Sequence, residues 1–434
     1  MRDIILMAIV LAGCIASLRR PWIGIMLWTW LSIMNPHRYT YGFAYSAPVA
    51  LMAALAIVVG AAMTQDRESP FKGSPVVWFI LFMGWVTISW LFGLNVAADD
   101  QQWNKIMKIN VMLLFSLALL HNKKHIFALM WVCAASIAFL GTKGGAFTVA
   151  TGGSYRVWGP PGTFIGGNNE FALALVMTIP LLRFLQTQME TRLMRHSLAL
   201  SMVLCAAAAL GSQSRGALVA LSAMVATMWW RSKKKLVSGI VFAIFSVALV
   251  AFMPESWTER MNTIKTYQED ESAMGRINAW WVAWRIALNY TFGVGFSTAT
   301  EDLFTRFGEY PDIPRAAHSI YFQILGNHGF FGLFLFLAIW ASTWLTCSWL
   351  RAQKNLPPEA KWTIELGGMC QVALIGYAVG GAFLSLAYFD LPYNIMVLAV
   401  LTRVWVYKKS WLTEPAYAPG WFTIPGLSTP PKAN

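Results

Sequence analysis

The stretch "RAAHSIYFQILGNHGFFGLFLFLAIWASTWLTCSWLR", residues 315–351, holds no Asp, Glu, Lys or Arg between Ile320 and Leu350. An α-helix rises about 1.5 Å per residue, so a run of this length crosses a ~30 Å hydrocarbon core with residues to spare. The same stretch opens on a titratable side chain. His318 stands where a long polar segment gives way to the apolar run, and Tyr321, Phe322, Leu325 and Gly329 follow at helical spacing on one face. The run decides the class of the protein; the histidine raises the question of what it does at that depth.

Apolar runs of the same kind recur along the chain, near residues 4–18, 22–34, 47–64, 75–94, 107–120, 126–141, 170–186, 197–211, 215–230, 236–253, 320–350, 363–388 and 391–407. They make about 12 or 13 crossings, the first two short runs allowing a broken hairpin. Composition agrees: the chain is 57% hydrophobic and 12% charged, with a mean hydropathy of +0.52, whereas soluble domains are about a quarter charged. The expected fold class is an all-α integral membrane protein, most of its helices read as unbroken, with one large loop. The opening "MRDIILMAIVLAGCIASLRRPW" places a charge before an apolar run, as a signal peptide does. Two arginines and a second apolar run follow at once, which reads as a retained anchor. The five cysteines, odd in number and all inside apolar runs, argue against a disulfide framework and against thiolate metal ligation.

Loop charges set the orientation. "HNKKH" (121–125), the Arg183/Arg192/Arg195 loop, "RSKKK" (231–235), the Arg351/Lys354/Lys361 loop and the Arg403/Lys408/Lys409 tail fall on one side if the runs alternate. That side, with the Arg19/Arg20 and Arg67/Lys72 loops and Lys432, gathers most of the 33 Lys and Arg and few of the 20 Asp and Glu. The positive-inside rule makes it cytoplasmic. The net charge of +13 is then a topology signal and gives nucleic-acid binding no support. Residues 35–46, 142–168, 212–215 and 254–317 lie on the opposite side, where chemistry is expected. Within the last of these, "RINAWWVAWRIAL" (276–288) has the tryptophan content of an interfacial helix.

Four outer features carry candidate residues, each with a plain reading beside the functional one. Arg215 in "GSQSRGA" opens an apolar helix; it is either a snorkelling arginine or an anion site made of a guanidinium and a helix N-terminus. Arg276 precedes the tryptophan cluster and reads as a charge on the wet face of an interfacial helix; Arg285 repeats the pattern nine residues on. His318 is either a satisfied polar group or a base, since ionisable groups at membrane depth are scarce and imidazole suits proton transfer near neutral pH. His328, inside the helix beside Gly329, reads as structural. In "GPPGTFIGGNNEFALAL" (159–175) Asn168 or Asn169 reads as a helix cap and Glu170 as a first-turn acid welcomed by the dipole; the amides could also bind sugar hydroxyls. "EDES" (269–272) and "DD" (99–100) read as solvated loops, no cluster has metal-ligand spacing, and "GVGF" (293–296) is too short to cradle a phosphate. No metal and no cofactor is expected.

"SRGA" at a helix start, an arginine followed by tryptophan and "GVGF" in one large outer loop, and "AHSIYFQILGNHGFFG" returning to the membrane together resemble the O-antigen ligase/O-antigen polymerase superfamily. "GTFIGGNNEFALAL", "RRPWIGIMLWTWLSIMNPHR" and the tail resemble its exosortase A-associated O-glycosylation ligase branch. The resemblance implies a GT-C-type membrane protein of the bacterial inner membrane with its active site facing the periplasm. The apolar runs and their sidedness divide the chain into an N-terminal transmembrane bundle (1–253), a large periplasmic loop (254–317), C-terminal transmembrane helices (318–410) and a cytoplasmic tail (411–434). The resemblance implies inverting, metal-independent transfer of a glycan from undecaprenyl diphosphate to a hydroxyl of lipid A-core, protein or polysaccharide. In the family's terms His318 is the base and Arg215 and Arg276 hold the donor diphosphate; Tyr321, Asn168 and Asn169 are read beside them as supporting residues. A polymerase of the same superfamily is the near alternative. A transporter or flippase is the distant one, and it predicts mid-membrane ionisable residues and interrupted helices.

Overall fold

The structure, a computed structural model, describes residues 1–232, 234–262, 271–310 and 314–414. Among the described residues it is all-helical, with no strand. Every apolar run forms a helix: α1 (Arg2–Arg19), α2 (Pro21–Met34), α3 (Val49–Met63), α4 (Ser74–Leu91), α5 (Val96–Leu119), α6 (Lys123–Ala150), α7 (Asn168–Gln188), α8 (Arg192–Gly211), α9 (Arg215–Arg231) and α10 (Lys235–Phe252). The outer segment adds α11 (Glu255–Asn262), α12 (Glu271–Asn289) and α13 (Glu301–Phe307), and α14 (Ile320–Arg351), α15 (Trp362–Gly381) and α16 (Asp390–Tyr407) complete the chain. Among the described residues, seven candidate membrane spans meet the demands of length and apolarity: α4, α6, α7, α8, α10, α14 and the Pro358–Gly381 segment that contains α15. The protein is thus a multi-pass membrane protein, and the 12 or 13 expected crossings draw on further helices such as α2 and α3, which are apolar but shorter. The tail beyond Glu414, part of "EDES" and residues 311–313 lie outside the described residues.

Sequence sets these helices locally and lipid sets their faces. Side chains of Asn95, Asn122, Thr191, Ser214 and Thr300 accept the first free backbone N–H groups of α5, α6, α8, α9 and α13, donors that would otherwise go unpaired. α1, α3 and α10 turn Ile9, Ile15, Leu55, Val59, Ile240 and Val247 outward, an apolar surface suited to acyl chains. α6 outlasts its apolar run by nine residues, so the outer loop expected from residue 142 begins only after Ala150. Glycine explains the extension. A Cβ at Gly141 would lie 2.6 Å from Cys205 Sγ and one at Gly145 would lie 2.2 Å from the Leu204 carbonyl, so these positions let α6 and α8 approach backbone to backbone.

α14 is not one rod. Gly329 has φ 68° and ψ −174°, a conformation open almost solely to glycine, and it corrects the expectation of unbroken helices. Segment 291–297 fills the break. Val294 N–H donates to Gly326 O (3.3 Å), Gly295 N–H to Asn327 O (3.1 Å), and Trp85 Nε1–H from α4 to His328 O (2.8 Å). The carbonyls that lose helical partners are therefore satisfied. "GVGF" is the plug of a helix break, and the Gly293 and Gly295 φ angles of 74° and 88° give it the turn it needs.

His328 locks the same junction. Its ring is fully buried, with Nδ1 2.8 Å from Ser89 Oγ and Nε2 2.7 Å from Tyr388 Oη, which accepts from Asn327 Nδ2 at 2.8 Å. The donors run one way along this chain when the ring is neutral and protonated on Nδ1. Asp99, read from sequence as solvated, is 2% exposed. It accepts from Phe296 N–H and the Ser297 hydroxyl, because α5 starts eleven residues before its apolar run and carries the carboxylate to the plug.

Contacts between loops respect the division by charge. On the basic-rich face Lys408 Nζ lies 2.9 Å from Glu68 Oε1, Glu414 accepts from the Lys123 N–H at 3.1 Å, and Arg231 and Arg351 both donate to Gln371 Oε1. The candidate residues gather among the segments assigned to the other face.

Candidate active site

The start of α9 is built to hold an arginine steady. Ser214 caps the helix through its hydroxyl, which accepts from Ala217 N–H. Before it, Gln213 adopts φ 55°, and its amide oxygen accepts from Arg156 Nε at 3.2 Å while its amide nitrogen donates to Gly153 O. Asn168 ties this turn to α7: its Nδ2 donates 2.8 Å to Ser212 O, and the side chain is buried. The expected capping role passes to Gly167, which stands before the helix and has no side chain to bond. Asn169, half-exposed, follows in the same turn. Arg215 is thereby the first residue of a helix whose lead-in is fixed on both sides.

His318 sits two residues before α14 in a left-handed conformation, φ 44°. A non-glycine residue there is strained by about 1–2 kcal/mol, so the neighbours must impose it. Trp280 of α12 does so: its indole N–H donates 2.7 Å to Ala317 O, and its ring stacks on Phe322 at 5.1 Å. Phe383, following α15, bridges the two halves. Its Cβ is 3.1 Å from where a Cβ on Gly216 would lie, and its ring is 6.4 Å from Trp280. The Arg215 turn and the His318 turn are thus braced against one aromatic set.

Charge completes the arrangement. Arg276, in α12, acts electrostatically on both His318 and Glu170. Arg315 lies across Gly275, where a Cβ would come within 2.9 Å of its Cδ. Burial first, then the Arg276 and Arg315 guanidinium groups, pull the His318 pKa from 6.5 to about 4. The imidazole is therefore neutral at pH 7 and available as a proton acceptor. Its side chain is one-third exposed, and Nδ1 is 3.8 Å from Glu170 Oε1. Tyr321 points elsewhere: its hydroxyl donates 2.8 Å to Ala378 O of α15. Arg285 pairs loosely with Glu309 at 3.9 Å and donates to Phe307 O, so its role is to hold α13 against α12.

Sequence reading missed Glu170 as a partner of His318. The two are distant in the chain, and a first-turn acid explains itself locally. The available signal was a carboxylate in the same outer motif as Asn168 in a chain with so few acids.

Comparison with known families gives two matches. Residues 200–337 match a family described as O-Antigen ligase, and residues 1–189 match a family of unknown function (DUF5935). The first match covers Arg215, Arg276 and His318, and it supports a membrane ligase or polymerase of the glycosyltransferase kind. No curated protein matches the chain.

Proposed function

We propose that the protein transfers a glycan from undecaprenyl diphosphate to a hydroxyl of a second molecule at the periplasmic face of the inner membrane. One observation carries this reading: four segments far apart in sequence, the starts of α7 and α9, α12 and residues 315–318, meet around a neutral histidine flanked by arginines. Breaking the bond from sugar C1 to the diphosphate oxygen sends the electron pair to that oxygen. Arg215, with the α9 N-terminus, and Arg276 receive the negative charge. His318 takes the acceptor proton as the new C1–O bond forms on the opposite face of the sugar, a role worth about 10²–10⁴-fold in rate. Below Arg215, a groove of about 1450 Å³ between α7, α8, α9 and α10, lined by Leu218, Leu221, Val225, Ile240 and Leu249, has the apolar character a polyprenyl chain needs.

The break in α14 does not support the transporter reading, because the chain's own amides and indole occupy it. The assignment to an O-glycosylation branch rests on the motifs quoted above and leaves lipid A-core, protein and polysaccharide as acceptor classes.

The test is reconstitution of purified protein with undecaprenyl-diphosphate glycan, candidate acceptors and EDTA. Acceptor-dependent release of the lipid, lost in His318→Ala and in Arg215→Ala, is the expected result. Transport of labelled lipid without release under any acceptor refutes the proposal.

A further inference from the structure

We propose that Glu170 is the positioning residue of His318, holding the imidazole by its Nδ1 side so that Nε2 faces the acceptor hydroxyl. This rests on the transferase reading and adds to it a group that no motif assigns. Three observations carry it. Glu170 Oε1 is 3.8 Å from His318 Nδ1, and that nitrogen is buried with no hydrogen-bond partner among the described residues. The carboxylate is itself held: it folds back over the start of α7, occupying the space a Cβ on Gly167 would enter, with one oxygen on its own helix's backbone N–H. The helix is held in turn, through Asn168 and the Ser212 carbonyl, against the turn that presents Arg215. A carboxylate fixed to that turn sets the spacing between base and donor site.

The gap of 3.8 Å is about 1 Å longer than a hydrogen bond, and catalytic bonds of this kind commonly close only in the substrate complex. The electrostatics explain what the carboxylate supplies. Arg276 from α12 and Arg315 from the preceding loop both disfavour an imidazolium, and Glu170 is the acid that faces it from α7. As C1 is attacked, the acceptor proton moves to Nε2 and a positive charge appears on the ring. The Glu170 carboxylate then stabilises that charge while Nδ1–H remains on its nitrogen. No proton passes to Glu170.

The test combines a spectroscopic and a kinetic readout on the full chain. Protein labelled with ¹⁵N-histidine, with the His318 signals among the six histidines assigned by His318→Ala, reports the tautomer directly. Wild type is expected to show Nδ1–H. Glu170→Gln, which keeps volume and the helix start, is expected to lose that preference and to lower kcat about 10–100-fold, as for partners that orient a metal-ligating histidine, with the donor KM unchanged. Glu170→Asp is expected to restore the tautomer and part of kcat. A folded Glu170→Gln protein with the wild-type tautomer overturns the pairing, as does a wild-type kcat. If wild type transfers no glycan to any acceptor, the transferase reading fails; the nitrogen spectra still decide whether Glu170 orients His318.

Discussion

Replacing Gly329 by alanine tests the broken helix and its plug together. At φ 68° and ψ −174° a Cβ costs about 1–3 kcal/mol in backbone strain. It would also sit 2.4 Å from the Thr291 carbonyl, so segment 291–295 must move. That movement gives up the bonds from Val294 N–H and Gly295 N–H to α14, worth about 1 kcal/mol each. The combined loss is about 4 kcal/mol. With an unfolding entropy of about 2.1 cal/mol/K per residue, a 434-residue chain should melt about 4 °C lower. Gly84→Ala is the matched control. Gly84 lies inside α4 with nothing within 4 Å of the added Cβ, so helix propensity should make that variant slightly more stable, by about 0.5–1 kcal/mol. The assay is thermal unfolding of purified protein in one detergent, followed by intrinsic tryptophan fluorescence. If Gly329→Ala melts with Gly84→Ala, the plug is not holding the break and the account of "GVGF" is wrong.

His318→Gly should separate strain from chemistry: a residue at φ 44° is relaxed by glycine, so Tm should equal or slightly exceed wild type while transfer falls about 10²-fold or more. A fall in Tm alongside activity would make His318 structural. The pH profile gives a signed test, because burial, Arg276 and Arg315 depress His318 to about 4. The acid limb of kcat/KM should lie near that value, and Arg315→Gln, by removing a cation, should move it upward toward 6.5; a downward move refutes the attribution. His328→Leu removes both ring hydrogen bonds and leaves Ser89 and Tyr388 short of a partner, which should cost about 2–4 kcal/mol and lower Tm with activity per folded molecule retained. Asn168→Ala leaves Ser212 O without its donor and should cost about 1 kcal/mol but reduce transfer by more than the folded fraction, since it frees the Arg215 turn from α7.

The apolar helices were legible because lipid favours segments that satisfy their own backbone groups, so composition and length reveal them, the break within α14 excepted. Arg215 at a helix start was legible for a local reason, the Ser214 cap before an apolar run. The roles of "GVGF", Asp99 and Gly329 were not legible, because each depends on a partner from another helix. A carboxylate such as Asp99 at a helix start looks solvated until the segment that buries it is in place. The placement of Glu170 belongs to the same class. Its local duty at the α7 dipole is sufficient to account for it, and only the packing of α7 against the His318 turn reveals a second one. His328 was read as structural from its place beside Gly329, and the network with Ser89 and Tyr388 gives that reading its content.

The plug of α14 bears on how the chain is assembled. A helix inserted with Gly329 at its break would expose the carbonyls of residues 326–328 to hydrocarbon, a state the bilayer penalises heavily. The groups that pair with those carbonyls come from Val294, Gly295, Ser89 and Trp85, all earlier in the chain. During synthesis they leave the ribosome before α14 does. The order of the sequence therefore supplies the partner before the need arises, and a circular permutation placing α14 ahead of α4 would keep every contact of the folded protein yet remove that advantage.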